Sequence, residues 1–435
     1  MQPKMIRFAP FEVNLEEREL RKAGIRVPLQ HKPFRILELL LRQPGALVSR
    51  QELAKELWPG LHVNFEHSLN SAVNTLRQAL EDSPRECRYI ETRSGLGYRF
   101  IAPIEESSSA RLVTPSTGKT TAHSDYLKGR FFLNKMTSDG IQRAMGCFQS
   151  ALEEHPGCAL AHAGLADCYC RLALSGAVCV SDVCVSARDF AAAALRIQPS
   201  LPEAHVSMGQ VRMIFDWDWK NASDSWSLAS ALNPSLTEAH RGRALLCAAR
   251  NCHDDALREI CQAQDLDPLS LPIGFEHAWL LFLAGNFEEA VAQSWRVLTL
   301  EPAFAPAQTI LGLAYYRLGS FDEAITELEN ACVCSDRDTA AVASLGYVYA
   351  AAGFSDKAQR VLDELAAQSQ RRYVSTYWMA IVHAGLDRRR LALEALKTAC
   401  LQREPQLLWV NADPRLASLR SEPEFLAVRR DLRFE

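Results

Sequence analysis

The sequence predicts a multidomain protein in which a small α+β domain precedes an all-α array of helical repeats. Three observations lead to this fold class. Short alternating apolar segments and glycine-containing turns occupy residues 1–105, whereas small residues recur every 34 positions beyond residue 125. In addition, a chain of 435 residues is too long for one hydrophobic core, which favours several domains.

The strands of the first domain are indicated by alternation and turn residues. Apolar residues nearly alternate in "IRFAPFEVN" (6–14), as expected for half-buried strands. Ala23-Gly24 separates two short extended segments, which is a hairpin signal. "RYIETRSGLGYRFIAPI" (88–104) reads as a second hairpin, with a glycine-containing turn between its strands.

Three helices are predicted between these hairpins. "KPFRILELLLRQPG" (32–45) has proline at its start and glycine after its end, which is the usual asymmetry of helix termini. A second helix opens with Ser49 and Glu52, a capping box. The third, "HSLNSAVNTLRQAL" (67–80), carries an apolar stripe with a 3.6-residue period: Leu69, Val73, Leu76 and Leu80.

The opposite face of the third helix is rich in neutral polar side chains rather than charges. Asn and Gln can pair bidentately with adenine, and Ser or Thr can donate or accept hydrogen bonds at base edges. The same residues are also compatible with a merely solvated helix face. The polar positions are His67, Asn70, Ser71, Asn74, Thr75 and Gln78.

Four segments in order resemble the OmpR/PhoB-type winged-helix DNA-binding domain, a helix-turn-helix variant: "KPFRILELLL", "VSRQELAKELWP", "LNSAVNTLRQAL" and "YIETRSGLGYRF". The resemblance implies that residues 66–81 are the recognition helix and that Arg93 to Tyr98 form the wing. Relatives in two-component signalling carry a phospho-acceptor receiver domain before this module. Here the module starts at residue 5, so we expect a bacterial one-component regulator that lacks a receiver.

The expected DNA-binding residues are the polar positions of the recognition helix together with three arginines. Arg50, Arg77 and Arg93 are expected to contact phosphates, which position a protein on DNA without reading sequence. Arg99 is equally compatible with a surface arginine whose stem is buried. Tyr98 is expected in the core of the wing.

A Ser- and Thr-rich linker over residues 106–124 is predicted to precede the repeats. "LGLAYYRLGSFDEAITELENA" (311–331) resembles a tetratricopeptide repeat, a helix–turn–helix unit of 34 residues. We expect about eight units over residues 125–408, a longer loop near 175–182, and a polar capping helix over residues 409–435. The spacing is carried by Ala256, Ala290, Ala324, Ala358 and Ala392, and by Gly285, Gly319 and Gly353.

The resemblance implies a concave groove lined by one face of the first helices. An uncharged, aromatic groove suits an apolar peptide or helix. Packing between repeats is the alternative explanation for these aromatic residues. The candidate groove residues are Phe275, Trp279, Phe282, Thr309, Leu313, Tyr316, Tyr347 and Tyr377.

Several classes of function lack a sequence signal. No HExxH, GxSxG or complete P-loop motif occurs, so we predict that the protein is not an enzyme and uses no cofactor. The 13 cysteines form no CxxC pair, so we predict no metal site and interpret them as small apolar residues in a reducing cytoplasm. No stretch approaches 18 uncharged apolar residues, so we predict no membrane contact.

The favoured interpretation is a cytoplasmic, sequence-specific transcriptional regulator. Its partners would be double-stranded DNA, a protein or peptide in the repeat groove, and a second copy of the chain if it dimerises on DNA. The main alternative is a protein-interaction scaffold whose winged helix does not bind DNA. Residues 1–105 hold 16 Lys and Arg against 13 Asp and Glu, a net charge of only +3, which, like Thr75, modestly favours the scaffold. A third interpretation is an activator of an antibiotic pathway, a class that usually has shorter helical arrays.

Overall fold

The computed structural model describes residues 5–8, 11–14, 19–22, 25–27, 29, 31–42, 47–57, 66–80, 82, 88–93, 96–102 and 117–433. The chain divides into two compact units, residues 1–113 and 114–435. The first unit contains two small sheets and three helices, and the second is helical. The predicted fold class, an α+β domain followed by an all-α array, is therefore confirmed.

The first four strands form an antiparallel sheet in chain order. Alternate residues face the core because successive side chains of a strand point to opposite sides. Accordingly Ile6, Phe8, Val13 and Leu20 are buried. The strands are β1 Met5–Phe8, β2 Phe11–Asn14, β3 Glu19–Lys22 and β4 Ile25–Val27.

Three helices and a second sheet complete the first unit. The sheet has the order β5-β7-β6 and is antiparallel. Phe100 from this sheet packs edge-on against Phe8 at 4.8 Å between ring centroids, so both sheets share one core. The elements are α1 His31–Arg42, β5 Leu47–Ser49, α2 Arg50–Leu57, α3 Glu66–Ala79, β6 Ile90–Arg93 and β7 Gly97–Phe100.

Sixteen helices of the second unit form eight consecutive antiparallel pairs. They are α4 Thr117–Leu133, α5 Ser138–Glu154, α6 Ala159–Ser175, α7 Val180–Ile197, α8 Pro202–Val211, α9 Trp219–Leu232, α10 Thr237–Ala249, α11 His253–Leu266, α12 Leu271–Ala284, α13 Phe287–Leu300, α14 Ala305–Arg317, α15 Phe321–Cys334, α16 Thr339–Ala351, α17 Ser355–Ser369, α18 Thr376–Gly385 and α19 Arg389–Leu401. The described part of this unit also contains one short π segment, Arg212–Asp216, and two 3₁₀ segments, Pro405–Trp409 and Pro414–Leu419. Its last helix is α20 Pro423–Asp431.

The residues that repeat every 34 positions have the roles that the spacing predicts. The marker alanines of the second helices are buried, from Ala256 to Ala392. Gly285, Gly319 and Gly353 join the two helices of a pair with φ of 87°, 85° and 87°. A Cβ at these three glycines would meet nothing within 4 Å, so the left-handed backbone conformation is the reason for glycine.

Three predicted boundaries differ from the structure. The extra residues between the second-helix markers Ala144 and Ala187 lie in long helices, since α6 has 17 residues and α7 has 18, and not in a long loop near 175–182. Helix α4 begins at Thr117, inside the predicted linker. The end of the chain contains two 3₁₀ segments before α20 instead of one capping helix, because Pro405 and Pro414 each start a new short segment.

Candidate nucleic-acid interface and repeat groove

The predicted capping box at the start of α2 is present. The Ser49 backbone N–H donates to Glu52 Oε2 at 2.8 Å, and the Glu52 N–H donates to Ser49 Oγ at 3.1 Å. The pKa of Glu52 is lowered, because the backbone N–H of Ser49 and then its hydroxyl donate to the carboxylate and favour its ionised form. The start of α2 is therefore fixed, and with it the position of Arg50, its first residue.

The hairpin of β6 and β7 is tied to the start of α2. Leu96 N donates to Arg93 O at 3.0 Å within the turn, and Arg50 N donates to Leu96 O at 3.2 Å. Gly97 allows this close approach, since a Cβ there would lie only 2.1 Å from the carbonyl oxygen of Val48. Turn and helix start thus form one small structural unit.

Two arginines lie in this unit. The Arg50 guanidinium lies 5.3 Å from the Tyr98 ring centroid, within range of a cation–π contact. Tyr98 itself is buried, as predicted for the core of the hairpin. Arg93 is exposed, and its Nη2 lies 3.0 Å from Glu91 Oε1. Both guanidinium groups therefore lie near the tip of the hairpin.

Helix α3 packs through its predicted apolar stripe. Leu69, Val73, Leu76 and Leu80 are all buried, so the helix presents the opposite face away from the core of the unit. Thr75 is half-buried. The side chains of the other predicted base-reading residues, His67, Asn70, Ser71, Asn74 and Gln78, lie outside the part of the chain that the structure describes, although their backbone belongs to α3.

In the second unit, the predicted groove residues lie on the first helices of successive pairs, from α12 to α18. Some pack within the array: the rings of Phe282 and Phe287 are 5.7 Å apart, and those of Tyr316 and Tyr347 are 5.6 Å apart. Phe275, Thr309 and Tyr316 are half-buried, whereas Trp279, Phe282, Leu313, Tyr347 and Tyr377 are buried.

Residues 404–432, the C-terminal segment, contact helices that are distant in sequence. The Trp409 ring lies edge-on to Trp279 at 6.2 Å between centroids. Gln406 Nε2 donates to Leu174 O at the end of α6 at 2.9 Å, across 232 residues of sequence. Trp219 Nε1 donates to Leu432 O at 2.9 Å. The segment therefore connects early and late repeats of the array.

Glu404 joins the C-terminal segment to the start of α18. Its Oε1 accepts from Thr376 N at 2.8 Å, and its Oε2 accepts from Tyr377 N at 3.0 Å. Tyr373 OH donates to Oε1 at 2.8 Å. The carboxylate satisfies two of the N–H groups that every helix leaves without an intrahelical partner.

A buried ion pair completes this contact. Arg415 Nη2 donates to Asp413 Oδ2 at 2.7 Å, and Arg415 Nε donates to Oδ1 at 3.0 Å. Tyr377 OH donates to Asp413 Oδ2 at 2.8 Å, and Arg415 Nη1 donates to Ser344 Oγ at 3.1 Å. The guanidinium also lies 5.9 Å from the Trp279 ring centroid. Both charges thus have partners despite their burial.

Ion pairs link the first helices nearer the start of the array. Arg130 of α4 donates to Asp167 Oδ2 of α6 at 2.9 Å and to Glu238 of α10. Arg241 of α10 donates to Glu276 of α12 through Nε at 2.7 Å. These polar contacts between repeats have no counterpart in the sequence predictions, because a 34-residue period locates helices but does not pair their side chains.

The described residues contain no group of three or more His, Cys, Asp or Glu side chains arranged to hold a metal ion. No helix in the described part of the chain is both long and apolar enough to cross a membrane.

Comparison with known proteins identifies both units. Residues 24–100 match the family described as "Transcriptional regulatory protein, C terminal". Residues 275–339 match the family described as "Tetratricopeptide repeat". The chain joins an OmpR/PhoB-type winged-helix domain to a tetratricopeptide-repeat array.

The winged helix has relatives among transcriptional regulators. It is 36% identical over 102 residues to the transcriptional regulatory protein KdpE of Mycobacterium tuberculosis, a match covering 23% of this chain and 45% of KdpE. It is 34% identical over 116 residues to the transcriptional regulator HilA of Salmonella typhimurium, covering 27% of this chain and 19% of HilA. The chain thus spans less than half the length of either relative.

The repeat array has the fold of known repeat proteins. A chain in the crystal structure of the APC/C hetero-tetramer Cut9–Hcn1 superposes with a TM-score of 0.51 at 16% identity. The match covers 73% of this chain and 57% of that one. At this identity the likeness concerns the fold alone.

One predicted phosphate contact of the winged helix is wrong. Arg77 is 5% exposed, and its Nη2 donates to Ile90 O at 3.0 Å and to Thr92 Oγ1 at 2.7 Å. The guanidinium therefore joins α3 to the first strand of the wing and is not available to a phosphate. At 100° per residue Arg77 lies on the flank of α3, beside the apolar stripe, but this helical geometry does not show that strand β6 covers that flank.

Glu91 is a wing residue that the sequence predictions missed. Its carboxylate contacts Arg93 at 3.0 Å and Arg99 Nε at 3.1 Å. The predicted hairpin offered a signal for the Glu91–Arg99 pair, because these two residues are directly opposite in the β6–β7 register. Glu91 partly neutralises Arg93 and Arg99, the two arginines of the wing strands.

At two of the eight positions, Trp279 and Tyr377, the prediction of an open aromatic groove is contradicted. Trp279 and Tyr377 are covered by Trp409, Asp413 and Arg415 of the C-terminal segment. The alternative, internal packing, describes these residues better. The pattern "PQLLWV" (405–410), at the predicted boundary between the repeats and the capping helix, was the available signal, since Leu407, Leu408 and Val410 are all fully buried.

Proposed function

We propose that the protein is a transcriptional regulator that binds double-stranded DNA sequence-specifically through α3 and the wing. The observation that carries the proposal is the packing of α3, whose apolar stripe faces the core of a domain related to transcriptional regulators. A helix held in this way can place its amide-rich face in the major groove, which is wide enough to admit it.

Within this proposal, Asn70, Asn74 and Gln78 read bases, and Ser71, Thr75 and His67 add hydrogen bonds at their edges. Arg50 and Arg93 contact phosphates. The location of the two arginines supports these assignments. Arg50 begins α2, Arg93 begins the wing turn, and hydrogen bonds join the turn to the helix start. Phosphate contacts from two points beside the recognition helix would set its register on the duplex.

The repeat array would then contact a protein or mediate assembly. Because the C-terminal segment covers Trp279 and Tyr377, we expect the partner to use other surfaces of the array. A homodimer on DNA is compatible with the proposal, because winged-helix regulators can occupy two half-sites.

Asn74→Ala is expected to weaken binding to an operator by about 1–3 kcal/mol while leaving binding to random duplex unchanged, because a bidentate base contact is lost. The operator is first selected from a random DNA library with the full-length protein, and both affinities are then titrated by gel shift. Asn134→Ala, in the exposed turn after α4, is the control. Equal losses on operator and random DNA would rule out base reading by Asn74.

Arg93→Ala is expected to lower affinity for all duplexes and to reduce the salt slope by about 1, because one phosphate contact disappears. Glu91→Gln should act in the opposite direction, since it removes the carboxylate beside Arg93. Arg21→Ala is a matched control: Arg21 is also exposed and pairs with Glu19 two residues away, but it lies in the first sheet. An unchanged salt slope for Arg93→Ala excludes the proposed contact.

A second candidate function is a protein-interaction scaffold whose winged helix does not bind DNA. The burial of Arg77 and the pairing of Glu91 with Arg93 and Arg99 favour it, because they reduce the positive charge available to DNA. Genome-wide capture of DNA with the tagged protein separates the two. Discrete enriched sites support the regulator, and a diffuse background supports the scaffold.

A further inference from the structure

Two cysteines meet at the turn between α10 and α11. Cys252 N donates to Cys247 O at 2.8 Å, and Asn251 N donates to Ala248 O at 2.9 Å. Asn251 has φ 63°, in the left-handed region. These three features define a Schellman motif, in which the side chains at the positions of Cys247 and Cys252 face each other.

The same motif elsewhere in the array shows the contact between these positions directly. At the turn between α16 and α17, Phe354 N donates to Tyr349 O at 2.8 Å. The rings of Tyr349 and Phe354 contact edge-to-face, with centroids 6.4 Å apart. Cys247 and Cys252 occupy the corresponding positions of their own repeat.

The backbone distance is compatible with a disulfide. Adding the covalent geometry on each side of the Cys252 N to Cys247 O hydrogen bond limits the Cα–Cα distance to at most about 6.7 Å, within the range that disulfides span. Cys252 is exposed and Cys247 is half-buried, so an oxidant reaches Cys252 first.

We propose that Cys247 and Cys252 are a redox modification site that closes to an intramolecular disulfide on reaction with a hydroperoxide. The proposal goes beyond DNA binding and does not depend on it. The disulfide would join the last turn of α10 to the N-cap of α11, and thereby lock the two helices of one repeat.

The reaction balances with one hydroperoxide per pair. The Cys252 thiolate attacks a peroxide oxygen, the O–O bond breaks, and the products are a Cys252 sulfenic acid and water or an alcohol. The Cys247 thiolate then attacks the Cys252 sulfur, the S–O bond breaks, and hydroxide leaves and is protonated to water. Two thiols lose two electrons and two protons, and the hydroperoxide is reduced by two electrons.

The rate of the second step should depend on pH. Burial raises the pKa of the Cys247 thiol to about 11, and Asp255 and Cys252 add to the shift. Only the thiolate attacks, so the rate of ring closure is expected to rise about tenfold per pH unit between pH 7 and 9.

Mass spectrometry of the full-length protein tests the proposal. After treatment with hydrogen peroxide and alkylation of free thiols, trypsin cleaves at Arg243, Arg250 and Arg258, so Cys247 and Cys252 fall in separate peptides. A disulfide is the only bond that keeps peptides 244–250 and 251–258 together. We expect this linked pair, lighter by two hydrogen atoms than the sum of the free peptides and absent after reduction. Mixing ¹⁵N- and ¹⁴N-labelled protein beforehand should give no mixed-isotope pair.

Variants supply the controls. Cys247→Ser should abolish the linked pair and leave a Cys252 sulfenic acid that dimedone traps. Cys261→Ser should change nothing, since Cys261 is exposed but faces His277 rather than a thiol. Cys332 and Cys334 are likewise one buried and one exposed, but they are two apart within α15 and should not link. Oxidised Cys252 without the 247–252 link, or with a mixed-isotope link, overturns the proposal.

Discussion

Arg415→Met is expected to lower the free energy of unfolding of the repeat array by about 3–5 kcal/mol, which is typical when one member of a buried ion pair is removed. Arg415 is 4% exposed and Asp413 is fully buried. Methionine preserves most of the apolar contact with Trp279 and Trp378. The decrease in the free energy of unfolding therefore measures the cost of leaving the buried charge of Asp413 without a partner. Urea unfolding followed by far-UV circular dichroism measures the change.

The array contains a matched control for this substitution. Arg389 Nε lies 3.0 Å from Asp387 Oδ1, with the same residue types and the same two-residue spacing as Arg415 and Asp413. Both side chains of that pair are exposed, and Arg389 Nη1 also lies 3.5 Å from Glu422 Oε1, so Arg389→Met should lower the free energy of unfolding much less than Arg415→Met does. If the two variants unfold alike, the C-terminal segment is not held by its ion pair.

Gly97→Ala is expected to destabilise the winged helix by about 1–3 kcal/mol and to weaken binding to every duplex at least about tenfold. The added Cβ would lie 2.1 Å from Val48 O, so β5 and β7 must separate. Their separation displaces the wing turn, and with it both Arg93 and the hydrogen bond that joins Leu96 to Arg50.

The adjacent residue supplies the control. Leu96 is 61% exposed, so Leu96→Ala leaves the strand pairing intact and should preserve stability. Thermal unfolding of the full-length chain and gel shifts on random duplex measure both effects. Normal stability of Gly97→Ala would show that β5 and β7 tolerate the extra methyl group, and would exclude this account of the wing.

The elements themselves follow from local sequence. The stripe of Leu69, Val73, Leu76 and Leu80 indicated the buried face of α3, and Ser49 and Glu52 indicated the start of α2. Both signals act within one or two helical turns, where backbone geometry alone determines which side chains meet. The 34-residue period indicated the repeats for the same reason, since each unit packs mainly on its neighbours.

The roles of the site residues could not be predicted in full, because they depend on contacts between residues that are not neighbours along the chain. Arg77 and Ile90 are separated by 13 residues, and their hydrogen bond exists only because the wing strand folds onto α3. Glu91 could be paired with Arg99 from the hairpin register, yet its simultaneous contact with Arg93 depends on side-chain conformation.

By itself, the sequence determined the order of the two units, their fold classes and the helices and strands within them. Periodicity and turn chemistry are short-range properties, so they can be read along the chain. Only the tertiary structure decided that Arg77 is a buried structural residue and that Trp409 and Arg415 cover Trp279. Those contacts join residues from 13 to more than 100 positions apart, and the packing of the C-terminal segment on earlier helices brings the second set together.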